Sequence, residues 1–206
     1  MRLIEGIQIL QGAPARIPDS CRNELPEFCK EMGYTRGAEI GVYKGAYTEL
    51  FCKVGLQMFA VDPWQVYDGN GSSFQRVGRM EFLYGHACRT LAPYSNCSII
   101  RKSSTEALED FEDNSLDFVY IDGDHSFKYI AADIHDWTHK VRKGGLVSGH
   151  DYIDSRTDSI IIHVRPVVDA YTEALGIKNW YVFGGSETPL SGRYDDRYLS
   201  WAFLKT

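Results

Sequence analysis

The chain has 206 residues, and its 22 Lys+Arg against 28 Asp+Glu give a net charge of −6. That length suits one α/β domain, and 44% hydrophobic with 24% charged residues excludes a disordered chain. The acid excess argues against broad electrostatic binding to nucleic acid or to an anionic membrane surface.

The N-terminal apolar stretch is interrupted by Glu5, Gln8 and Gln11. It is too polar for a signal peptide and reads as a short segment that packs on the domain or frays. Asn23 to Met32 places Leu25, Phe28 and Met32 on one face, which predicts a helix. Gly37 to Val42 is a short strand, Tyr47 to Val54 a helix and Gln57 to Val61 a second strand. Trp64 to Ser73, with Gly69, Asn70, Gly71, Ser72 and Ser73, reads as a loop. Arg79 to Leu91 is helical and Ser98 to Arg101 forms a third strand. Ser103 and Glu106 have capping-box spacing, so a helix starts there.

Leu116 to Ile121 is a fourth strand. Ser126 to Arg142 is the strongest helix, with Phe127, Ile130, Ile134, Trp137 and Val141 in one stripe. Gly144-Gly145 is expected to terminate it before a fifth strand, Leu146 to Ser148. Pro166 fits the first turn of a helix that ends at Gly176. Trp180 to Phe183 and Ser200 to Leu204 read as an antiparallel pair. No apolar run approaches the ~20 residues that span a bilayer. Five cysteines (Cys21, Cys29, Cys52, Cys88 and Cys97) include no CxxC pair, so a reducing, cytoplasmic setting is expected.

Strands alternating with helices imply an α/β fold with a mostly parallel sheet and helices on both faces. Ligands in such folds sit at the C-terminal ends of the strands. After the first strand comes Glu39-Ile40-Gly41-Val42-Tyr43-Lys44-Gly45. Two glycines flank a turn, but GxGxxG is absent. The acid two residues before Gly41 is awkward for a pyrophosphate and suits a cation such as an amino-acid ammonium; a plain strand–helix turn explains the glycines equally well. Asp62 follows the second strand, where a carboxylate can accept ribose hydroxyls or cap a helix. Trp64 could wall a base pocket or sit in the core. Ser103 and Ser104 follow the third strand and could reach an adenine or ribose edge, although the capping box accounts for them as well.

Tyr120-Ile121-Asp122-Gly123-Asp124-His125-Ser126 follows the fourth strand. Two carboxylates and an imidazole at one strand end are costly unless paired or liganded. Asp124 and Ser126 are also candidate caps for the next helix. Gly149-His150-Asp151-Tyr152 follows the fifth strand. If the two strands are neighbours, Asp122 and Asp151 converge on one cation, with His150 as a nitrogen donor. His135 and His139 read as a solvated face, and His86 and His163 have no evident partners.

At these residues the sequence resembles class I S-adenosylmethionine-dependent methyltransferases. Ala38 to Gly45 resembles the first family motif and Val61-Asp62 the second acidic position. Asp117 to Ser126 and Lys143 to Tyr152 are similar to a small bacterial subfamily with an IDGDH…GHDY signature. The resemblance implies a single methyltransferase domain over residues 1–206, with an N-terminal helical segment (1–35) and a catalytic core (37–204). It implies a Rossmann-like fold of seven strands with the last antiparallel. It assigns S-adenosylmethionine to Glu39, Gly41, Tyr43, Gly45, Asp62, Ser103, Ser104 and Asp122. Glu39 would hold the methionine ammonium and Asp62 the ribose. Asp122, His150 and Asp151 would hold Mg²⁺ or another divalent cation, although the catechol-methylating relatives carry a carboxylate where His150 stands. Catalysis falls to Asp122, His125 and His150, with a histidine as general base if no metal is used.

The implied reaction is O-methylation of a small hydroxylated acceptor, a sugar or an aromatic. Nucleic acid and membrane are not expected partners. The segments 67–79 and 186–198 are the candidate acceptor loops. A nicotinamide-dependent oxidoreductase and a non-catalytic nucleoside-binding scaffold are the alternatives, with a metal-dependent hydrolase more distant.

Overall fold

A computed structural model of the chain describes residues 1–65, 77–156, 161–184 and 198–206. In chain order the first half comprises α1 (Leu3–Ile9), β1 (Ala15–Arg16), α2 (Leu25–Glu31), β2 (Arg36–Ile40), α3 (Ala46–Lys53), β3 (Gln57–Val61), α4 (Val77–Leu91) and β4 (Cys97–Ile100). There follow α5 (Ser104–Ala107), β5 (Leu116–Ile121), α6 (Phe127–Lys140), β6 (Val141–Gly149), β7 (Ser155–Arg156), β8 (Ile161–Ile162), α7 (Val164–Ala174), β9 (Trp180–Gly184) and β10 (Leu199–Leu204). A 3₁₀ turn, Arg22–Glu24, precedes α2, and another, Leu108–Asp110, follows α5.

The main sheet has eight strands in the order β1-β9-β10-β6-β5-β2-β3-β4. β4, β3, β2, β5 and β6 run parallel. β10 is antiparallel to both β6 and β9, so the aromatic tail pair forms as expected. This is the Rossmann-like methyltransferase fold, with one strand more than the expected seven. The additional strand is β1, two residues laid parallel to the edge of β9, with Ala15 opposite Tyr181 and Arg16 opposite Val182.

Side chains of successive strand residues point to opposite faces, and β5 shows the division. Phe118 and Tyr120 join the core under α1, α2 and α3 with Leu3, Ile7, Leu25, Phe28 and Phe51. Val119 and Ile121 join the core under α6 and α7 with Ile130, Ile134, Trp137, Val164 and Val168. The N-terminal segment therefore packs on the domain, with Leu3 and Ile7 buried.

Two expectations for α6 need correction. Phe127, at its first turn, is 64% exposed, and Val141 opens β6 rather than closing the helix. Gly144 and Gly145 lie within β6 and do not end α6. The β5–β6 register shifts between Leu116 and Phe118, so these glycines accommodate a bulge. No helix among the described residues is long and apolar enough to cross a membrane. The acceptor loops expected over 67–79 and 186–198 lie outside the described residues except at 77–79 and Tyr198.

Candidate functional site

β2, β3, β5 and β6 end side by side, because Ile40 pairs with both Val61 and Ile121, and Ile121 pairs with Gly149. Every strand-end motif found in the sequence is thereby gathered along one edge of the sheet. The turn after β2 is forced by close approach. Asp122 N donates to Ile40 O at 2.7 Å, so the β5 exit presses against Gly41. A Cβ at Gly41 would fall 2.1 Å from the Asp122 carbonyl oxygen, and its φ of +90° already favours glycine. Tyr43 (φ +55°) and Gly45 (φ +79°) complete the left-handed turn into α3.

Asp62 braces that turn. One carboxylate oxygen accepts from Val42 N at 2.9 Å and Tyr43 N at 3.0 Å, and the other accepts from Trp64 N at 2.7 Å. A carboxylate offers about four lone-pair sites, so roughly one remains for a ligand. Burial pushes its pKa up against those three hydrogen bonds. Trp64 belongs to the core: it is buried against Tyr84, and its Nε1 donates to Tyr43 O at 2.8 Å.

Glu39 is 2% exposed and accepts a hydrogen bond from Thr48 on α3. Burial pushes its pKa up to about 8; the Thr48 bond and the Arg22 charge oppose this, while Asp122 and Asp62 reinforce it. The unliganded carboxyl is therefore largely protonated at neutral pH, ready to ionise beside a cation.

Asp122, His125, His150 and Asp151 form one network. His125 Nε2 lies 3.1 Å from an Asp151 oxygen and 3.5 Å from Asp122 Oδ1. His150 Nδ1 lies 3.0 Å from the other Asp151 oxygen and 3.9 Å from Asp122 Oδ1. Burial alone would raise the Asp122 pKa, yet the bond from His125 and the charges of His150, His125 and Arg22 hold it below the usual range. Burial would lower that of His125, but Asp122 and Asp151 raise it. Asp151 sits at φ +51°. This strained conformation for a non-glycine residue turns its side chain back towards β5. Asp122, His125 and Asp151 present ligand atoms within 4.8 Å of one another. That grouping includes His125; His150, the nitrogen donor expected from the sequence, is not part of it, although its Nδ1 contacts Asp151 and lies 3.9 Å from Asp122.

Arg22 was not singled out from the sequence. The 3₁₀ turn delivers its side chain into the site, 12% exposed, with Nη1 3.3 Å from Asp122 Oδ2. Its guanidinium lies 5.1 Å from the centre of the Tyr47 ring, and Tyr47 OH donates to Arg22 O at 2.7 Å. An isolated arginine opening a 3₁₀ turn carries no periodicity or motif; its one local signal is the cap that Glu24 makes to Cys21 N at 3.2 Å.

Ser103 is the N-cap of α5, and its hydroxyl and backbone N both donate to Glu106. Ser104 Oγ donates to buried Asp133 and accepts from Trp137 Nε1 at 2.8 Å. Both hydroxyls are committed to protein partners. Asp124 accepts from Ser126 N at 2.8 Å, while Ser126 is the N-cap of α6 by position and not by its side chain. His135 and His139 are exposed, as expected, with ring centres 4.9 Å apart. The two histidines without evident partners have them: His86 Nδ1 lies 3.2 Å from Thr90 Oγ1, and His163 Nδ1 accepts from Phe127 N at 3.3 Å.

Comparison with solved structures agrees with this architecture. An O-methyltransferase from Bacillus cereus, solved in complex with SAH, superposes with a TM-score of 0.60 at 14% identity, covering 89% of this chain and 80% of that one. The O-methyltransferase TomG from Streptomyces achromogenes, solved with SAM, gives 0.58 at 12% identity over 89% and 79%. The N-methyltransferase NodS from Bradyrhizobium japonicum, in complex with S-adenosyl-l-homocysteine, gives 0.56 at 15% identity over 89% and 85%. A Sinorhizobium fredii protein, y4gI, described as uncharacterized, is 30% identical over 123 residues; this covers 56% of the chain and 13% of that much longer protein. Residues 38–152, from β2 through the last strand-end motif, match the model of the family described as "Methyltransferase domain". With the strand-end acids and the glycine turn all inside that span, the chain belongs to the methyltransferase domain family.

Proposed function

We propose that this domain transfers a methyl group from S-adenosylmethionine to a hydroxyl oxygen of a small acceptor. The observation that carries the reading is one edge of one sheet. There a buried Glu39, the Gly41 turn braced by Asp62, and the Asp122–His125–Asp151 group stand at adjoining strand ends. The structural neighbours solved with SAM or SAH share this fold.

Glu39 would take the cofactor ammonium and ionise as it does so. The Gly41 turn, with Tyr43 and Gly45, lets the ligand approach the backbone closely. Asp62 would offer its remaining lone pair to a ribose hydroxyl while holding the turn. With their hydroxyls committed, Ser103 and Ser104 would border the adenine by shape and backbone alone. The acceptor oxygen attacks the sulfonium methyl in line: a C–O bond forms, the C–S bond breaks, and S-adenosylhomocysteine leaves. The acceptor proton passes to the Asp122–His125–Asp151 group, while His150 Nδ1 contacts Asp151 at 3.0 Å. Positioning and exclusion of water supply most of the acceleration.

Two carboxylates and an imidazole also fit a divalent cation. Asp122, His125 and Asp151 would hold it, and it would lower the pKa of the acceptor hydroxyl. Five cysteines with no CxxC pair fit a reducing, cytoplasmic setting.

Calorimetric titration of metal-stripped protein with S-adenosylmethionine and NAD⁺, with and without Mg²⁺, tests the cofactor. Micromolar binding of the first and none of the second is expected; no binding of S-adenosylmethionine in either condition would overturn the reading. A panel of hydroxyl and amine acceptors, scored by S-adenosylhomocysteine release, then tests the atom methylated. His125→Asn is expected to cut the rate at least ~100-fold and leave cofactor affinity within a few-fold.

A further inference from the structure

We propose that Cys52 and Cys97 form an oxidisable dithiol, a site at which a peroxide closes a reversible disulfide between α3 and β4. The pair stands apart from the methyl-transfer reading, because no residue of the strand-end site takes part.

A disulfide needs two side chains that face each other across a short gap. In the parallel β3–β4 ladder Cys97 stands opposite Met58. Met58 is wholly buried in the core under α3. Cys97 therefore points to the same face and packs on that core, where Cys52 lies in the last turn of α3. The residue before Cys97 ties the two elements together. Asn96 Nδ2 donates to Cys52 O at 3.0 Å and to Leu56 O at 2.7 Å. Nearby on α3, Glu49 accepts from Tyr94 OH at 2.9 Å. The thiol of Cys52 donates to the sulfur of Cys97.

The two sulfurs are not equivalent. Cys52 is 4% exposed, whereas Cys97 is half-buried at the start of the edge strand β4. The bond from Cys52 favours the thiolate at Cys97 against its burial; the same bond, with burial, opposes ionisation of Cys52. The thiolate is the nucleophile, so Cys97 reacts first. It attacks one peroxide oxygen: an S–O bond forms, the O–O bond breaks, and the other oxygen leaves as hydroxide and takes a proton to become water. The product is a sulfenic acid. Cys52 then attacks that sulfur: the S–S bond forms, the S–O bond breaks, and the Cys52 proton leaves with the hydroxyl as a second water. The peroxide is reduced, the two thiols are oxidised, and a dithiol reductant reverses the bond. In a reducing setting the pair rests as the dithiol, and disulfides there are transient or redox-sensing. Cys29, by contrast, is wholly buried, and burial opposes its ionisation.

The test treats the native full chain with a small excess of hydrogen peroxide, blocks remaining thiols with N-ethylmaleimide and maps the peptides by mass spectrometry. Trypsin leaves each cysteine in its own peptide, Cys52 in 45–53 and Cys97 in 90–101, so the linkage is read directly. The link between 45–53 and 90–101 should form roughly tenfold faster than any other thiol is lost, and dithiothreitol should reverse it. Cys52→Ser should abolish the link and leave a sulfenic acid at Cys97 that dimedone traps; Cys97→Ser should abolish both. No such link in the wild type, a link that forms only in denaturant, or equal oxidation of all five cysteines would overturn the inference, and none of these results needs a variant to fold. Dimedone labelling at another cysteine in place of Cys97 in the Cys52→Ser chain would do so as well. Cofactor binding enters none of these readouts, so their failure leaves the methyltransferase reading untouched.

Discussion

Glu39 shows how one carboxyl can serve binding at the expense of stability. Its ordinary pKa is near 4.5 and burial carries it to about 8 in the folded chain. Below pH 4.5 it is protonated in both states and costs little. As pH rises from 4.5 towards 8 the unfolded chain ionises first, so folding stability falls across that window, by on the order of a few kcal/mol. Glu39→Gln should therefore gain stability over wild type progressively from pH 5 to pH 8, measured by denaturant midpoint. The same proton must leave when an ammonium binds. Affinity for S-adenosylhomocysteine should rise from pH 6 to pH 8, by up to about tenfold per unit, and flatten above; the variant should lose this slope. The groups facing Glu39 (Thr48, Arg22, Asp122 and Asp62) set where the slope ends. Gly41 is constrained purely by space. Gly41→Ala puts a methyl against the Asp122 carbonyl at positive φ; a loss of about 3 kcal/mol or more is expected in urea unfolding.

Among the elements, Gln57–Val61 and Leu116–Ile121 were legible to the residue, because each is an apolar run closed by an acid at the sheet edge. The α6–β6 boundary was not. Val141 continues the helical stripe from Trp137 and is buried, but an apolar residue at that point satisfies either a helix end or a strand start. The strand won because Val141 pairs with Leu116. The serines after β4 illustrate the same limit. Their spacing announced a cap, which formed, yet nothing local revealed that Ser104 would join Asp133 to Trp137. Burial pushes the Asp133 pKa up to about 6, so losing its hydroxyl partner is costly. Ser104→Ala should lower stability by about 1–3 kcal/mol while changing affinity for S-adenosylhomocysteine less than about twofold; a large loss of affinity would return the hydroxyl to the cofactor site.

For the whole molecule, the strand-end rule located the site from sequence, because a parallel sheet brings its C-terminal edges together whatever the order of its strands. What the rule could not supply came from long-range pairing. β1 meets β9, Tyr181 OH donates to Ile7 O at 2.9 Å, and Arg16 donates to Gly184 O at 2.6 Å. Deleting residues 1–16 should uncover the apolar face beneath α1 and lower stability by about 2–4 kcal/mol, net of the chain entropy released; increased binding of an apolar dye would report the same exposure. The β1–β9 strap also imposes an order of events during synthesis. Ribosomes release the N-terminus first, yet its partner strand is made more than 160 residues later (181 − 15 = 166). Arg22 follows that strap by six positions (22 − 16 = 6) and is anchored to α3 as well. Until Trp180–Gly184 emerges, the opening segment has no edge to dock on. A nascent chain stalled before that point should expose its first residues to protease, and the completed chain should not.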